Sequence, residues 1–274
     1  MTRIAVFQSC SGIDPVANAA ELVAAIEGAA KGEAEMLFTP EMSGLLDGDR
    51  ERSSRVVRAE RDDIVLAAVR KSAKANAIWV AIGSLALRGE ARKLVNRAFV
   101  IDPAGEIAGR YDKMHLFDVD LPTGESWRES AAYQAGAGPI VVRGTPVGSL
   151  GLTICYDLRF PAIFERLSEA GADLIAVPAA FTVPTGLAHW HVLLRARAIE
   201  AGLFIVAAAQ SGKHEDGRAT FGHSLVVDPW GEVQTDGGEG KKLLFADIDL
   251  ARIGEVRSRI PVLQHRRPIG LVND

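Results

Sequence analysis

Short apolar runs alternate with amphipathic stretches along the whole chain. Residues 3–8 read as a strand. Asp14-Pro15 then supplies an N-cap and a first-turn proline for an alanine-rich helix over 16–30. Residues 34–39 form a mostly apolar strand. A second helix covers 61–75, where Ile64, Leu66, Ala67 and Val69 stand among charges. Strands follow at 78–85 and 94–101. The turn Asp102-Pro103-Ala104-Gly105 closes a hairpin, and 106–111 returns from it.

The second half repeats this order. A strand at 147–155 leads to a helix at 163–170, a strand at 174–177, a helix at 189–201 and a strand at 203–209. Residues 224–227, the turn Asp228-Pro229-Trp230-Gly231 and residues 232–234 repeat the earlier hairpin. The local match is close: Phe-Val-Ile-Asp-Pro-Ala-Gly-Glu-Ile at 99–107 against Leu-Val-Val-Asp-Pro-Trp-Gly-Glu-Val at 225–233. Two similar halves predict one duplicated α/β domain rather than two unrelated ones. The strands are nearly continuous apolar runs, so each sheet needs cover on both faces. A four-layer α-β-β-α sandwich of two duplicated halves meets that need. A single doubly wound sheet is the alternative that strand counting leaves open. The least regular stretch is 118–138, polar and Gly-rich, and long loops of that kind are often functional.

Composition adds exclusions. The chain has 274 residues with a formal net charge of −4, 48% hydrophobic and 24% charged, which excludes disorder, collagen and coiled coil. The mild negative charge argues against a nucleic-acid groove or an anionic membrane surface. No apolar leader precedes the first strand, and no stretch approaches the length of a membrane helix. Two cysteines, Cys10 and Cys155, are too few for a disulfide framework, so a reducing cytoplasm is the expected location.

Three residues stand out as candidate chemistry. Cys155 closes an apolar strand in Thr153-Ile154-Cys155-Tyr156-Asp157, with a helix to follow. Nearby N–H groups and a helix dipole would favour its thiolate, whereas a buried structural thiol is the plain alternative. Glu41, in Phe38-Thr39-Pro40-Glu41, also ends a strand, and partial burial would raise its pKa toward a general base. Its plain alternative is a solvated carboxylate. Lys113, in Tyr111-Asp112-Lys113-Met114-His115, ends a third strand and could hold an oxyanion, or be one more surface lysine. A cysteine, a carboxylate and an amine together make an acyl-transfer set that needs no histidine, metal or cofactor.

The motifs Phe38-Thr39-Pro40-Glu41, Asp112-Lys113 with His115-Leu116-Phe117-Asp118, and Cys155-Tyr156-Asp157 with Arg159-Phe160-Pro161 resemble the carbon–nitrogen hydrolase (nitrilase) superfamily, in order and over nearly the whole chain. The resemblance implies the α-β-β-α sandwich and a homodimer or higher homo-oligomer, with a C-terminal tail of about 259–274 at the subunit interface. It implies that Cys155 attacks an amide carbonyl while Glu41 takes its proton and passes it to the leaving ammonia. Lys113 and the N–H of Tyr156 would hold the oxyanion, and a thioester would then be hydrolysed. Glu129, in Trp127-Arg128-Glu129-Ser130, resembles the second glutamate of the Nit branch.

Finer likeness is to the Nit-type amidases. It runs through Phe181-Thr182, Thr185-Gly186, His189-Trp190, Ala207-Ala208-Ala209-Gln210 and Pro261-Val262-Leu263-Gln264-His265. The last two of these stretches are closer to amidases of deaminated glutathione than to ω-amidases of α-ketoglutaramate type. N-carbamoyl amino acid hydrolysis, nitrile hydrolysis and a scaffold without catalysis stand further back. Ala162 departs from the branch, where Glu is common.

Arg159 could grip a substrate carboxylate or pair internally with Asp157, and Phe181 and Thr185 are expected to wall the pocket. His189 and His191 are two apart on a predicted helix, a poor spacing for shared metal ligation. His115 and His223 are candidates for supporting contacts. Trp190 and Trp230 read as packing residues, and Cys10 as a structural thiol.

Overall fold

The computed structural model describes residues 1–90, 93–120, 124 and 126–267. Its first half opens with β1 (Thr2–Gln8) and α1 (Pro15–Lys31), whose Asp14 cap accepts the Val16 N–H at 2.9 Å. Next come β2 (Met36–Phe38), α2 (Arg50–Val56) and α3 (Ile64–Asn76). Then β3 (Trp79–Arg88), β4 (Leu94–Ile101) and β5 (Ile107–Asp112) form a meander. The polar loop that follows is pinched by a short ribbon of β6 (Asp118–Asp120) and β7 (Ser126–Arg128).

The second half comprises β8 (Ile140–Thr145), β9 (Gly148–Leu152), α4 (Pro161–Glu169), β10 (Leu174–Ala176), α5 (Val183–Ala201) and β11 (Phe204–Ala207). A ribbon of β12 (Ser211–Lys213) and β13 (Ala219–Phe221) precedes β14 (Leu225–Val227), β15 (Val233–Asp236) and β16 (Lys242–Ile248). The chain then runs through α6 (Ala251–Arg259) and α7 (Val262–His265).

Two six-stranded sheets result, ordered β16-β1-β2-β3-β4-β5 and β15-β14-β11-β10-β9-β8. The single doubly wound sheet is therefore not what forms. Each sheet has a parallel centre, β1-β2-β3 or β9-β10-β11, flanked by antiparallel strands. The last strand, β16, returns to the first sheet beside β1, as β8 lies beside β9.

The repeated hairpin is reproduced in detail. Asp102 accepts the N–H groups of Ala104 and Glu106, and Asp228 those of Trp230 and Glu232. Gly105 and Gly231 take φ of 79° and 85°.

Alternation along the strands builds the layers. Ile4, Val6, Ala98 and Val100 point between the sheets, where they meet Leu150, Leu152 and Leu174. Ala5, Phe7, Phe99 and Ile101 point the other way, onto Leu22 and Ile26 of α1 and Val65 and Val69 of α3. Ile163 and Leu167 of α4 and Trp190 and Leu194 of α5 cover the second sheet. The protein is thus the expected α-β-β-α sandwich.

Some boundaries move. Helix α5 begins at Val183, not 189, because Gly186 hides its first turn from a propensity reading. The space a Cβ would need there is taken by the Phe221 ring, 2.1 Å away. Trp190 is fully buried, whereas Trp230 is 48% exposed and is not a packing residue. Of the tail, α7 lies against α5, and Arg266 Nε is 3.5 Å from Glu165 on α4. Residues 268–274 lie outside the described residues. Among the described residues no helix is long and apolar enough to cross a membrane.

Candidate active site

Glu41, Lys113 and Cys155 follow the C-terminal ends of β2, β5 and β9, the edge where ligand sites of α/β sheets gather. The turn carrying Glu41 is laid on β3. Thr39 N–H donates to Ala81 O at 3.0 Å, and Thr39 Oγ1 accepts the Gly83 N–H at 3.0 Å. A Cβ on Gly83 would lie 2.1 Å from Thr39 O and 2.4 Å from Pro40 O, so only glycine permits this approach. Lys113 prolongs the β4–β5 ladder, its N–H donating to Asn96 O at 2.9 Å.

Strand β9 ends at Leu152, and Cys155 opens a 3₁₀ turn with φ of 50°, a region non-glycine residues rarely adopt. Asp157 holds that turn by accepting the Ile154 N–H at 2.8 Å. Asp157 also accepts the Tyr111 hydroxyl at 2.7 Å and lies 2.7 Å from His115 Nδ1. This network supplies a supporting role for His115. It also excludes the internal Asp157–Arg159 pair as an arrangement of this structure.

The three groups converge. Lys113 Nζ lies 2.9 Å from Glu41 Oε1 and 2.9 Å from Glu129 Oε2. Asn96 Nδ2 donates to Glu41 Oε1 at 2.9 Å and to Glu129 Oε1 at 3.3 Å. Glu41 Oε2 accepts the Ala180 N–H at 3.0 Å, and Phe117 N–H donates to Glu129 Oε2 at 2.7 Å. The Cys155 thiol stands close enough to the Glu41 carboxylate for each to shift the other's ionisation. Glu41, Lys113 and Cys155 are all buried.

Two electrostatic expectations are reversed. Burial alone would raise the Glu41 carboxyl, but the Lys113 ammonium and hydrogen bonds from Cys155, Lys113 and Asn96 outweigh it and hold the group below its ordinary value. Burial pushes the Cys155 thiol well up, and the negative Glu41 beside it pushes further. Lys113 is drawn well above its ordinary value because Glu129 and Glu41 overcome its desolvation. The resting arrangement is a charged base touching a neutral thiol, not a preformed thiolate. Such a pair can move a proton as sulfur attacks.

The cluster closes a cavity of about 560 Å³, an ordinary volume for a small-molecule site. Tyr156, Arg159, Phe181 and Thr185 all line it. The Arg159 guanidinium lies 5.4 Å from the Phe181 ring centre and 5.9 Å from that of Tyr156, and Nη1 is 3.2 Å from His189 Nδ1. Trp127 and Arg218, which the sequence reading did not single out, form an outer wall with their groups 5.0 Å apart. Asn96 was also missed. Its signal is an uncharged polar residue, beside Arg97, in the otherwise apolar run 94–101. His223 lies away from this cavity. Cys10 is half-buried, its Sγ 3.6 Å from His214 Nδ1.

Residues 3–258 match the carbon-nitrogen hydrolase family. The chain belongs to that family.

This carbon-nitrogen hydrolase is 39% identical over 268 residues to a deaminated glutathione amidase of Yersinia enterocolitica, covering 97% of this chain and 93% of that protein. A deaminated glutathione amidase of Bos taurus is 38% identical, covering 97% and 82%. Among solved structures, the C. elegans NitFhit protein superposes with a TM-score of 0.89 at 38% identity, covering 97% of this chain and 65% of that one. A glutamate-to-glutamine mutant of an amidase from Nesterenkonia sp. AN1 gives 0.81 at 28% identity, covering 97% and 94%. That structure shows covalent addition of the acetamide moiety of fluoroacetamide at its active site cysteine. The present chain is accordingly an amidohydrolase of carbon–nitrogen bonds other than peptide bonds.

Proposed function

We propose that this carbon-nitrogen hydrolase cleaves deaminated glutathione. The observation that carries the reading is one cavity joining the Glu41–Lys113–Cys155 cluster to Arg159 and Arg218 on its wall. Deaminated glutathione is a linear acid with a carboxylate at each end, the charge such a wall would favour. The similarity to amidases of that name supports the same substrate.

In this mechanism Cys155 Sγ attacks the amide carbonyl as Glu41 takes the thiol proton. Lys113 and the Tyr156 N–H stabilise the oxyanion. Glu41 returns the proton to the departing nitrogen, the C–N bond breaks, and a thioester remains. Glu41 then activates a water that hydrolyses the thioester and frees Cys155. Glu129 acts by holding Lys113.

The nitrogen product separates the candidate substrates. Deaminated glutathione has no primary carboxamide, so its leaving group is an amine, whereas α-ketoglutaramate releases ammonia. Purified protein is assayed with both compounds, with N-carbamoyl-β-alanine and with a nitrile. The proposal expects the highest kcat/KM for deaminated glutathione, with amine release. A clear preference for α-ketoglutaramate would favour the ω-amidase reading. Cys155→Ala is expected to abolish turnover while leaving the fold intact.

We also propose a cytoplasmic homodimer. Leu187, Val192 and Ile199 are exposed on α5, and a Cβ at Gly231, beside exposed Trp230, would touch Ile199. Val192, Ile199 and Trp230 offer apolar side chains that a second copy would cover. Light scattering on the purified protein tests it, and a monomer at all concentrations would refute it.

A further inference from the structure

Two imidazoles and a carboxylate meet outside the Cys155 cavity. His191 comes from α5, His223 from the link between β13 and β14, and Asp236 from the end of β15. His191 Nε2 is 3.0 Å from Asp236 Oδ2, and His223 Nδ1 is 2.9 Å from Asp236 Oδ1. One ligand atom from each residue lies within 4.8 Å of the other two.

We propose that His191 Nε2, His223 Nδ1 and the Asp236 carboxylate bind one divalent transition-metal ion of the zinc, cobalt or nickel kind, which fastens α5 to the second sheet and takes no part in hydrolysis.

The donor set fits this class. Imidazole with carboxylate suits zinc and its neighbours, whereas magnesium and calcium prefer oxygen alone. An ion about 2.0–2.1 Å from each donor needs ligand atoms roughly 3 Å apart, close to the separations of Asp236 Oδ2 from His191 Nε2, 3.0 Å, and from His223 Nδ1, 3.2 Å, while the two nitrogens lie within 4.8 Å of each other. Binding displaces the hydrogens that now bridge Asp236 and the two imidazoles from the coordinating atoms.

The ligands are also held in place before any ion arrives. His223 takes φ of 53°, directly after Gly222 at 77°. Its N–H donates to Gly238 O at 2.7 Å, and its carbonyl accepts the Trp190 indole N–H at 2.7 Å. Its ring stacks on Phe221 with centres 4.4 Å apart. Asp236 Oδ1 accepts the Gly238 N–H at 2.8 Å. A strained backbone fixed at both ends fits a residue that must aim its ring. The side chains are 24% to 37% exposed, which lets an ion enter and water complete its shell.

The competing reading is an aspartate that merely bridges two histidines by hydrogen bonds. His189 and His191, two apart on α5, face different partners, Arg159 and Asp236, so His191 pairs with His223 rather than with His189. The site lies behind the pocket wall without entering the pocket. Trp190, next to His191, packs on Phe181 with ring centres 4.8 Å apart, and Phe221 lies against Gly186 in the first turns of α5.

The test uses metal-stripped protein without a histidine tag, titrated with Co²⁺. The proposal expects one equivalent bound at micromolar concentration, a visible ligand-field spectrum without a thiolate band, displacement by Zn²⁺, and a higher Tm. Outer-shell changes alone weaken metal sites by about 10–100-fold, so His191→Ala and Asp236→Asn should each weaken binding by at least about 100-fold. Both variants should keep the far-UV spectrum and the amidase activity. His189→Ala and Cys155→Ala should bind Co²⁺ as the parent does. No stoichiometric uptake, uptake that survives His191→Ala, or loss of the signal in Cys155→Ala would overturn the proposal.

Discussion

Asn96 Nδ2 donates to the Glu41 carboxylate at 2.9 Å, from the strand next to the one that delivers Lys113. Among the described residues its Oδ1 is buried without a partner, so the side chain is kept for what its amide N–H groups do. The donated bond is one of those holding Glu41 below its ordinary pKa. Asn96→Ala removes it, so the Glu41 pKa should rise. In the proposed mechanism Glu41 acts as an ionised base, and the acid limb of kcat/KM should therefore move to higher pH. A pH–rate profile checks the shift. An unmoved acid limb with lower kcat would leave Asn96 a purely structural role.

Gly83 is where the first sheet admits the Glu41 turn. In Gly83→Ala the new methyl would meet backbone oxygens of Thr39 and Pro40, which cannot swing away as a flexible side chain would. Overpacking of this kind costs about 1–3 kcal/mol. A displacement near 1 Å at the reacting groups can cost about 100-fold in rate. The variant should lose kcat by roughly that factor and unfold at lower temperature, measured by steady-state assay and calorimetry. Full activity at unchanged Tm would show that the turn yields freely.

A variant of Arg159 tests whether binding and chemistry are separable. Its guanidinium stands over Phe181 and Tyr156 on the cavity wall and is not spent on Asp157, which Tyr111, His115 and Ile154 already engage. A hydrogen bond to a charged group contributes about 1.5–3 kcal/mol. Arg159→Ala should raise KM for an anionic amide by about 10–100-fold while changing kcat little. A neutral amide such as acetamide should be nearly indifferent. Equal losses on both substrates would mean that Arg159 shapes the cavity rather than gripping a carboxylate.

The fold was legible where residues speak for themselves. The strands of the sheet centres are apolar runs, and the Asp-Pro-x-Gly-Glu hairpins repeat so closely that the duplication is visible in the letters. What escaped lacks such contrast. Helix α2, Arg50–Val56, is nearly all polar, and edge strand β16 is half-exposed along most of its length. The site residues were likewise marked by motif, but their charge states were not. Glu41 and Cys155 each sit at a strand end, and a local reading predicts a raised acid and a lowered thiol. Tertiary contact reverses both, because Lys113 arrives from a strand 72 residues further along than Glu41. Ion pairing between distant segments has no local signature.

That reversal yields a test of what Glu41 does to Cys155. The negative carboxylate is one of the causes that push the thiol pKa up, while Lys113 pulls it down. Glu41→Gln keeps the size of the side chain and removes the charge, leaving Lys113 as the nearer influence. The sign follows: the thiol should ionise at lower pH in the variant than in the parent. Thiolate absorbance in the ultraviolet, followed through a pH titration, measures it. Turnover should nevertheless fall by about 100- to 10,000-fold, the usual worth of a positioned general base. A more ionised sulfur in a slower enzyme would assign Glu41 to proton transfer during attack. A thiol pKa that rises in Glu41→Gln would instead mean that Glu41 serves to generate the thiolate, and the neutral resting pair would be the wrong starting state.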